Sequence, residues 1–94
     1  MFDIQRIGDH TVVLSGRLDA SQATRAREVF EGIDESSTVD LRDLEYVSSA
    51  GLGILVSTQL RLAGRGERLT LVNPTSHVRE LLHITGLDAI LQID

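Results

Sequence analysis

The 94-residue chain has no cysteine, no tryptophan and no lysine, and its one proline is Pro74. Without cysteine there can be no disulfide, no thiol nucleophile and no Cys-ligated metal. Aromatic residues make up 3% of the chain, so the core must be built from Leu, Ile, Val and Ala. The nine basic residues are all Arg and face fourteen acids, giving a formal net charge of −5. They are spread from Arg6 to Arg79 and alternate with acids. Nucleic-acid binding and polybasic membrane contact both need clustered positive charge, so neither is expected. No apolar run approaches the ~20 residues of a membrane span. Met1 to Arg6 lacks the basic and apolar regions of a signal peptide, and a cytoplasmic protein is the expectation.

What is present fits one small domain, residues 1–94, with ordinary hydrophobic (41%) and charged (24%) content. Phe2, Ile4 and Ile7 alternate with polar residues in the manner of a half-buried strand. Gly8-Asp9-His10 is turn chemistry, and Thr11 to Ser15 reads as a second strand, antiparallel to the first. A helix is expected from about Ser21 to Ile33, with Asp19 or Ser21 as its N-cap. Asp19 and Gln22 have capping-box spacing. Asp34 to Ser37 reads as an acidic turn. Thr38 to Leu41 reads as a third strand, carried onward by Arg42 to Glu45. A second helix is expected from Leu52 to about Ala63, with Leu52, Leu55, Val56, Leu60 and Ala63 on its inward side. Leu69 to Val72 is a fourth strand. Ser76 is the expected cap of a helix from about His77 to Thr85, and Leu87 to Ile93 holds a turn and a strand-like tail.

The order β-β-α-β-α-β-α, with this tail, implies an α/β fold with a mixed sheet of four to five strands. Strands two to four should be parallel, with helices packed mainly on one face. In such units every strand ends at one edge of the sheet, where ligands favour binding. The joints Arg17-Leu18-Asp19, Ser48-Ser49-Ala50-Gly51 and Asn73-Pro74-Thr75-Ser76 are therefore expected to share a rim. The middle joint is the focus. A helix N-terminus has unpaired N–H groups and positive potential, so a hydroxyl there can cap the helix, and a phosphate there is equally favoured. From spacing alone Ser48 and Ser49 can serve either purpose. Asp19 is a helix cap or a negative contact on the rim.

Other chemistries find little support. Ser49 lacks the Gly-x-Ser-x-Gly elbow and any arranged His and acid of a hydrolase. His77 and His83 lie six apart on a helix and diverge, which is poor for a metal. No glycine-rich phosphate loop occurs, so no catalytic, cofactor-binding or metal-binding residue is assigned.

Four motifs in register resemble the STAS domain, and within it the bacterial anti-sigma factor antagonists. They are Leu14-Ser15-Gly16-Arg17-Leu18-Asp19, Val39-Asp40-Leu41-Arg42-Asp43-Leu44, Ser48-Ser49-Ala50-Gly51-Leu52-Gly53 and His83-Ile84-Thr85-Gly86-Leu87. The resemblance covers essentially the whole chain. It implies that Ser49, two residues before the motif glycine, is phosphorylated by a partner anti-sigma factor that is a serine kinase. The unphosphorylated protein would bind that partner and release its sigma factor. Phosphorylation would break the complex, and a PP2C-type phosphatase would restore it. Asp19, Ser48, Ser49, Ala50, Gly51 and Leu52 would contact the partner. Many members have Asp where this chain has Ser48, which removes a negative neighbour and adds a second hydroxyl. The family precedent also implies a monomer when free and a binding module in place of an enzyme. The alternative is a STAS subunit fixed in a larger assembly, such as a lipid-transport ATPase complex or a stress-sensing scaffold.

Overall fold

The computed structural model describes all 94 residues, Met1–Asp94. Strand β1 (Phe2–Ile7) turns back into β2 (Thr11–Leu18), and a 3-10 turn (Ala20–Gln22) leads into α1 (Ala23–Glu31). Then follow β3 (Ser37–Val47), α2 (Ser49–Ala63), β4 (Leu69–Val72), α3 (Ser76–Ile84), a second 3-10 turn (Leu87–Ala89) and β5 (Gln92–Ile93). The sheet order is β1-β2-β3-β4-β5. The β1–β2 pair is antiparallel, and β2–β3, β3–β4 and β4–β5 are parallel. The hairpin, the parallel crossovers and the terminal strand all follow the order read from the sequence.

Alternation decides which face is covered. Phe2, Ile4, Val12, Leu14, Val39, Leu41, Leu69 and Leu71 are buried. Their neighbours Asp3, Thr11, Val13, Thr38, Asp40, Thr70 and Val72 are only half-buried. One face of the sheet thus carries the core and the other meets solvent. Parallel sheets usually have both faces covered, and here Thr and Asp on the open side make the exposure tolerable. From α1, Ala23, Ala26 and Phe30 reach the core, and from α3, Val78 and Leu82. All 22 buried apolar side chains form one cluster.

Strand β3 is far longer than the four residues Thr38 to Leu41 assigned from sequence. Its buried positions run Val39, Leu41, Leu44, Val47, two apart and then three apart. The register with β2 shows why. Val13 faces Asp40 while Ser15 faces Asp43, and Gly16 faces Leu44 while Arg17 faces Tyr46. Two extra residues are therefore accommodated in β3, each re-phasing the strand so that Leu44 and Val47 still point inward. Such bulges cluster next to functional sites, where they redirect side chains. They also break the period-two signal on which strand assignment depends.

Gly16 makes the matching end of β2 possible. Its φ is +81°, and a Cβ there would lie 1.7 Å from the Met1 carbonyl oxygen. Only glycine lets the start of the chain close on β2, where the Arg17 N–H donates to that carbonyl at 2.9 Å.

Several helix limits differ from expectation. The first helix begins as a 3-10 turn at Ala20 and ends at Glu31. The cap of α3 is Thr75, whose hydroxyl accepts from the Val78 N–H at 3.2 Å, and Ser76 is already helical. Both hydroxyls sit where a cap is chemically favourable, so residue type alone could not choose between them. Helix α2 starts at Ser49, three residues before Leu52.

Candidate functional site

The site is built where β2 and β3 stop. Leu18 faces Val47, and the Ser48 N–H donates to the Leu18 carbonyl at 2.8 Å, the last bond of the ladder. Asp19 follows Leu18, and Ser48 and Ser49 follow Val47, so these two joints lie side by side. The third joint does not reach them. β4 ends at Val72, opposite Asp40, and Thr75 lies near the Leu44 carbonyl. That sets it back along β3 by roughly 10 Å, at ~3.3 Å per strand residue. Only two of the three expected joints form the rim.

The two serines divide the work. Ser48 is the N-cap of α2, with extended backbone (φ −80°, ψ 169°), and its Oγ accepts from the Gly51 N–H at 3.2 Å. Its carbonyl takes the Leu52 N–H at 2.9 Å. Ser48 is half-buried, whereas Ser49, the first helical residue, is exposed and its hydroxyl is not engaged in capping. An Asp in place of Ser48 would cap the helix equally well.

Gly51 sets how closely α2 meets the strand ends. A Cβ at Gly51 would lie 2.8 Å from both Leu18 Cγ and Val47 Cγ2. Real Cβ atoms do not pack so tightly, so any side chain here would force Leu18 and Val47, or the helix start itself, to shift. Leu52 is buried (7% exposed) and Ala50 half-buried. Of the six residues expected at the rim, Ser49 alone is exposed.

Asp19 does cap, but it caps the 3-10 turn. Its Oδ1 accepts from the Ser21 hydroxyl at 2.6 Å and the Ser21 N–H at 3.0 Å. Gln22 donates through its backbone N–H to the Asp19 carbonyl, and its side chain makes no bond back to the Asp19 N–H, so the reciprocal capping box does not form. The Ser21 hydroxyl above all, then the Ser21 and Gln22 N–H groups and the Arg17 charge, hold the Asp19 carboxyl below the usual Asp range against partial desolvation. The side chain is an anion fixed in orientation beside Ser49's joint.

Two features escaped the sequence reading. Arg17 lies 4.5 Å above the centre of the Tyr46 ring, a cation–π pair on the open face of the sheet. The pair comes from register, and nothing in the local sequence announces it. The second feature is the outer side of α2. Its inward residues are Gly51, Leu52, Ile54, Leu55, Thr58 and Leu62. Leu60 is 60% exposed, Ala63 is exposed and Val56 half-buried, so the expected inward stripe was partly the wrong one. Val56 and Leu60, with the edge of Leu52 and with Ser49, Gly53 and Ser57, line a groove of about 380 Å³ to which Thr85 and Leu87 also contribute. A larger cleft of about 420 Å³ lies at the opposite edge of the sheet, among His10, Ser36, Glu67 and Arg68, without an apolar wall.

A family model described as "Mlab, STAS domain" matches residues 3–92. The chain is a STAS domain. Curated relatives place it among the anti-sigma factor antagonists of that family. The anti-sigma-B factor antagonist of Bacillus subtilis is 32% identical over 92 residues, covering 95% of this STAS domain and 84% of the relative. That of Listeria monocytogenes is 30% identical over 94 residues, covering 95% and 82%. Among solved structures, an anti-sigma factor antagonist from Mycobacterium paratuberculosis matches the fold with a TM-score of 0.81 at 22% identity, covering 99% of this chain and 83% of that one. SpoIIAA in its unphosphorylated form matches with a TM-score of 0.76 at 23% identity, covering 100% and 88%. No helix of this STAS domain is long and apolar enough to cross a membrane.

Proposed function

We propose that this STAS domain is an anti-sigma factor antagonist whose binding to an anti-sigma factor is switched off by phosphate on Ser49. The observation that carries the reading is the contrast at the start of α2. The Ser48 hydroxyl holds the helix cap, and the Ser49 hydroxyl stands exposed one residue later. A kinase can reach Ser49 without unmaking the fold, and modification of Ser48 would cost the cap.

The partner would be a serine kinase that supplies ATP and a base. The Ser49 Oγ attacks the γ-phosphorus, the bond to ADP breaks, and the hydroxyl proton passes to the kinase. The STAS domain contributes the acceptor and its placement. The product carries about −1.5 to −2 additional charge. At the first turn of α2, the unpaired N–H groups and the helix dipole favour that charge, so the domain keeps its shape. The penalty falls on the complex, where a dianion would be buried against the partner unless a cation met it. Asp19, fixed beside the same joint, adds negative charge and sharpens the repulsion. A PP2C-type phosphatase would restore the binding form.

The test is affinity for the anti-sigma factor kinase of the same genome, measured without ATP. The unmodified protein and Ser49→Ala should bind within a few-fold of each other, and Ser49→Asp should bind at least about tenfold more weakly, a loss of ~1.4 kcal/mol. Equal binding of all three, with a stable complex, would contradict the switch and indicate a fixed subunit of a larger assembly.

A further inference from the structure

Asp19 follows β2 in extended backbone (φ −95°, ψ 179°). Residues two apart in an extended chain share a face, so Arg17 and Asp19 leave the backbone on the same side. An ion pair is the contact such neighbours would make, and it does not form. The Arg17 guanidinium lies over the Tyr46 ring, and neither Arg17 nor Asp19 belongs to any of the molecule's ion pairs. Asp19 instead gives Oδ1 to the Ser21 hydroxyl and the Ser21 N–H, while Oδ2 bonds nothing in the chain. The result is a half-buried anion without a counter-ion, with one oxygen engaged and one free.

The two donors of Ser21 do different work. The N–H, at 3.0 Å, is a backbone group that nearly any residue at this position would supply, and it is enough for the cap. The hydroxyl, at 2.6 Å, is the addition that only the side chain brings. Ser21 is exposed, so packing of the core does not ask for it. One donor on Oδ1 leaves the carboxylate able to turn about that contact. Two donors from different directions fix the plane of the group, and with it the direction of Oδ2. A group fixed before binding does not lose that freedom on binding, which is how orientation becomes affinity.

We propose that Ser21 is a positioning residue for recognition of the anti-sigma factor, its hydroxyl setting the Asp19 carboxylate so that Oδ2 meets a hydrogen-bond donor of that partner. The proposal rests on the reading that the partner covers the Ser49 joint, because Asp19 stands on the adjoining joint. Stacking of Arg17 on Tyr46 serves the same end, since it leaves the carboxylate unneutralised. Ser21 acts only through Asp19, so its contribution to binding vanishes when the carboxylate is removed.

The experiment measures affinity for the purified anti-sigma factor kinase of the same genome, without ATP, and thermal unfolding of each variant. Ser21→Ala keeps the N–H bond and should unfold nearly as the unmodified protein does, yet bind about three- to tenfold more weakly. Ser21→Thr restores the hydroxyl and should bind within about twofold of the unmodified protein. Asp19→Ala should bind about tenfold more weakly, and adding Ser21→Ala to it should cost less than about a further twofold. Full binding by Ser21→Ala beside weak binding by Asp19→Ala would overturn the role of Ser21 and leave Asp19 at the interface. Independent losses in the double variant, or Ser21→Thr no better than Ser21→Ala, would overturn it as well, because Ser21 would then act without Asp19. Full binding by Asp19→Ala would overturn the proposal, and weak binding by Ser49→Asp in the same series would leave the switch standing. The expected pattern at Ser21 and Asp19 with full binding by Ser49→Asp would support the positioning role and remove the switch. Absence of binding by the unmodified protein would overturn both.

Discussion

Gly51 and Gly53 are two residues apart on one helix and exist for opposite reasons. At Gly51 a side chain would collide with Leu18 and Val47 at 2.8 Å, and at Gly53 it would meet open space. The first glycine is demanded by the interior, because α2 must start hard against the ends of β2 and β3. The second is left unexplained by the interior. The same contrast extends along the helix. Ile54, Leu55, Thr58 and Leu62 are sealed, and Thr58 even satisfies its hydroxyl on the Ile54 carbonyl at 2.7 Å. On the outer side Ser49, Gly53, Ser57 and Leu60 stay accessible. A single helix thus carries one face specified by folding and another that folding leaves free.

Alanine at the two glycines separates these faces most strongly. Gly51→Ala should destabilise by about 1–3 kcal/mol, the usual cost of overpacking. Gly53→Ala should stabilise by roughly 0.5–1 kcal/mol through helix propensity. Urea unfolding of both variants checks the pair, and equal effects at the two sites would dissolve the distinction.

The paired serines give the next effect. Ser48→Ala removes the cap and should cost about 1 kcal/mol. Ser49→Ala should stay within ±0.5 kcal/mol, as surface changes usually do. Chemical denaturation again decides, and a larger loss at Ser49 would mean that the cap is misassigned.

The smallest effect belongs to Asp19, on the neighbouring joint. Its carboxyl is held below the usual Asp range chiefly by the Ser21 hydroxyl. A depressed folded-state value means that the unfolded chain binds the proton more readily. The stabilisation is therefore complete above the ordinary Asp value of about 3.9 and is lost as pH falls through the lower, folded value. Asp19→Asn should lower stability slightly at neutral pH, leave it unchanged below the folded value, and so flatten that part of the acid-unfolding curve. An unaltered acid limb would show that the Ser21 contacts carry no weight.

The sequence disclosed the connectivity of the fold well. The hairpin was legible from Gly8-Asp9-His10, and the parallel strands from helices long enough to cross over. The length of β3 was hidden because its bulges space Leu41, Leu44 and Val47 by three, which is not a strand period. The inward face of α2 was misjudged for a related reason. The helix has apolar residues on both sides, and periodicity finds stripes without telling which one the core covers. Leu60 was assigned inward on that basis and lies in solvent. At the site, Ser48, Ser49 and Gly51 were found together because the motif is contiguous. What local sequence could not supply was the allocation of the two hydroxyls. That depends on whether α2 begins at residue 49 or 52, and Gly51's fit against Leu18 and Val47 is a tertiary contact. The set-back of Thr75 from the rim was likewise hidden, because β4 stops opposite Asp40 while β3 runs on to Val47.

The division of labour between Ser48 and Ser49 is the centre of this account. It is tested most directly by incubating the protein with ATP and the anti-sigma factor kinase of its own genome, then locating the phosphate by fragmentation of the peptide that spans both serines. A single phosphate on Ser49, absent from Ser49→Ala and retained in Ser48→Ala, is the expected result. Phosphate on Ser48 in the unmodified protein would contradict the account, because the hydroxyl assigned to hold the helix would then be the one the kinase takes.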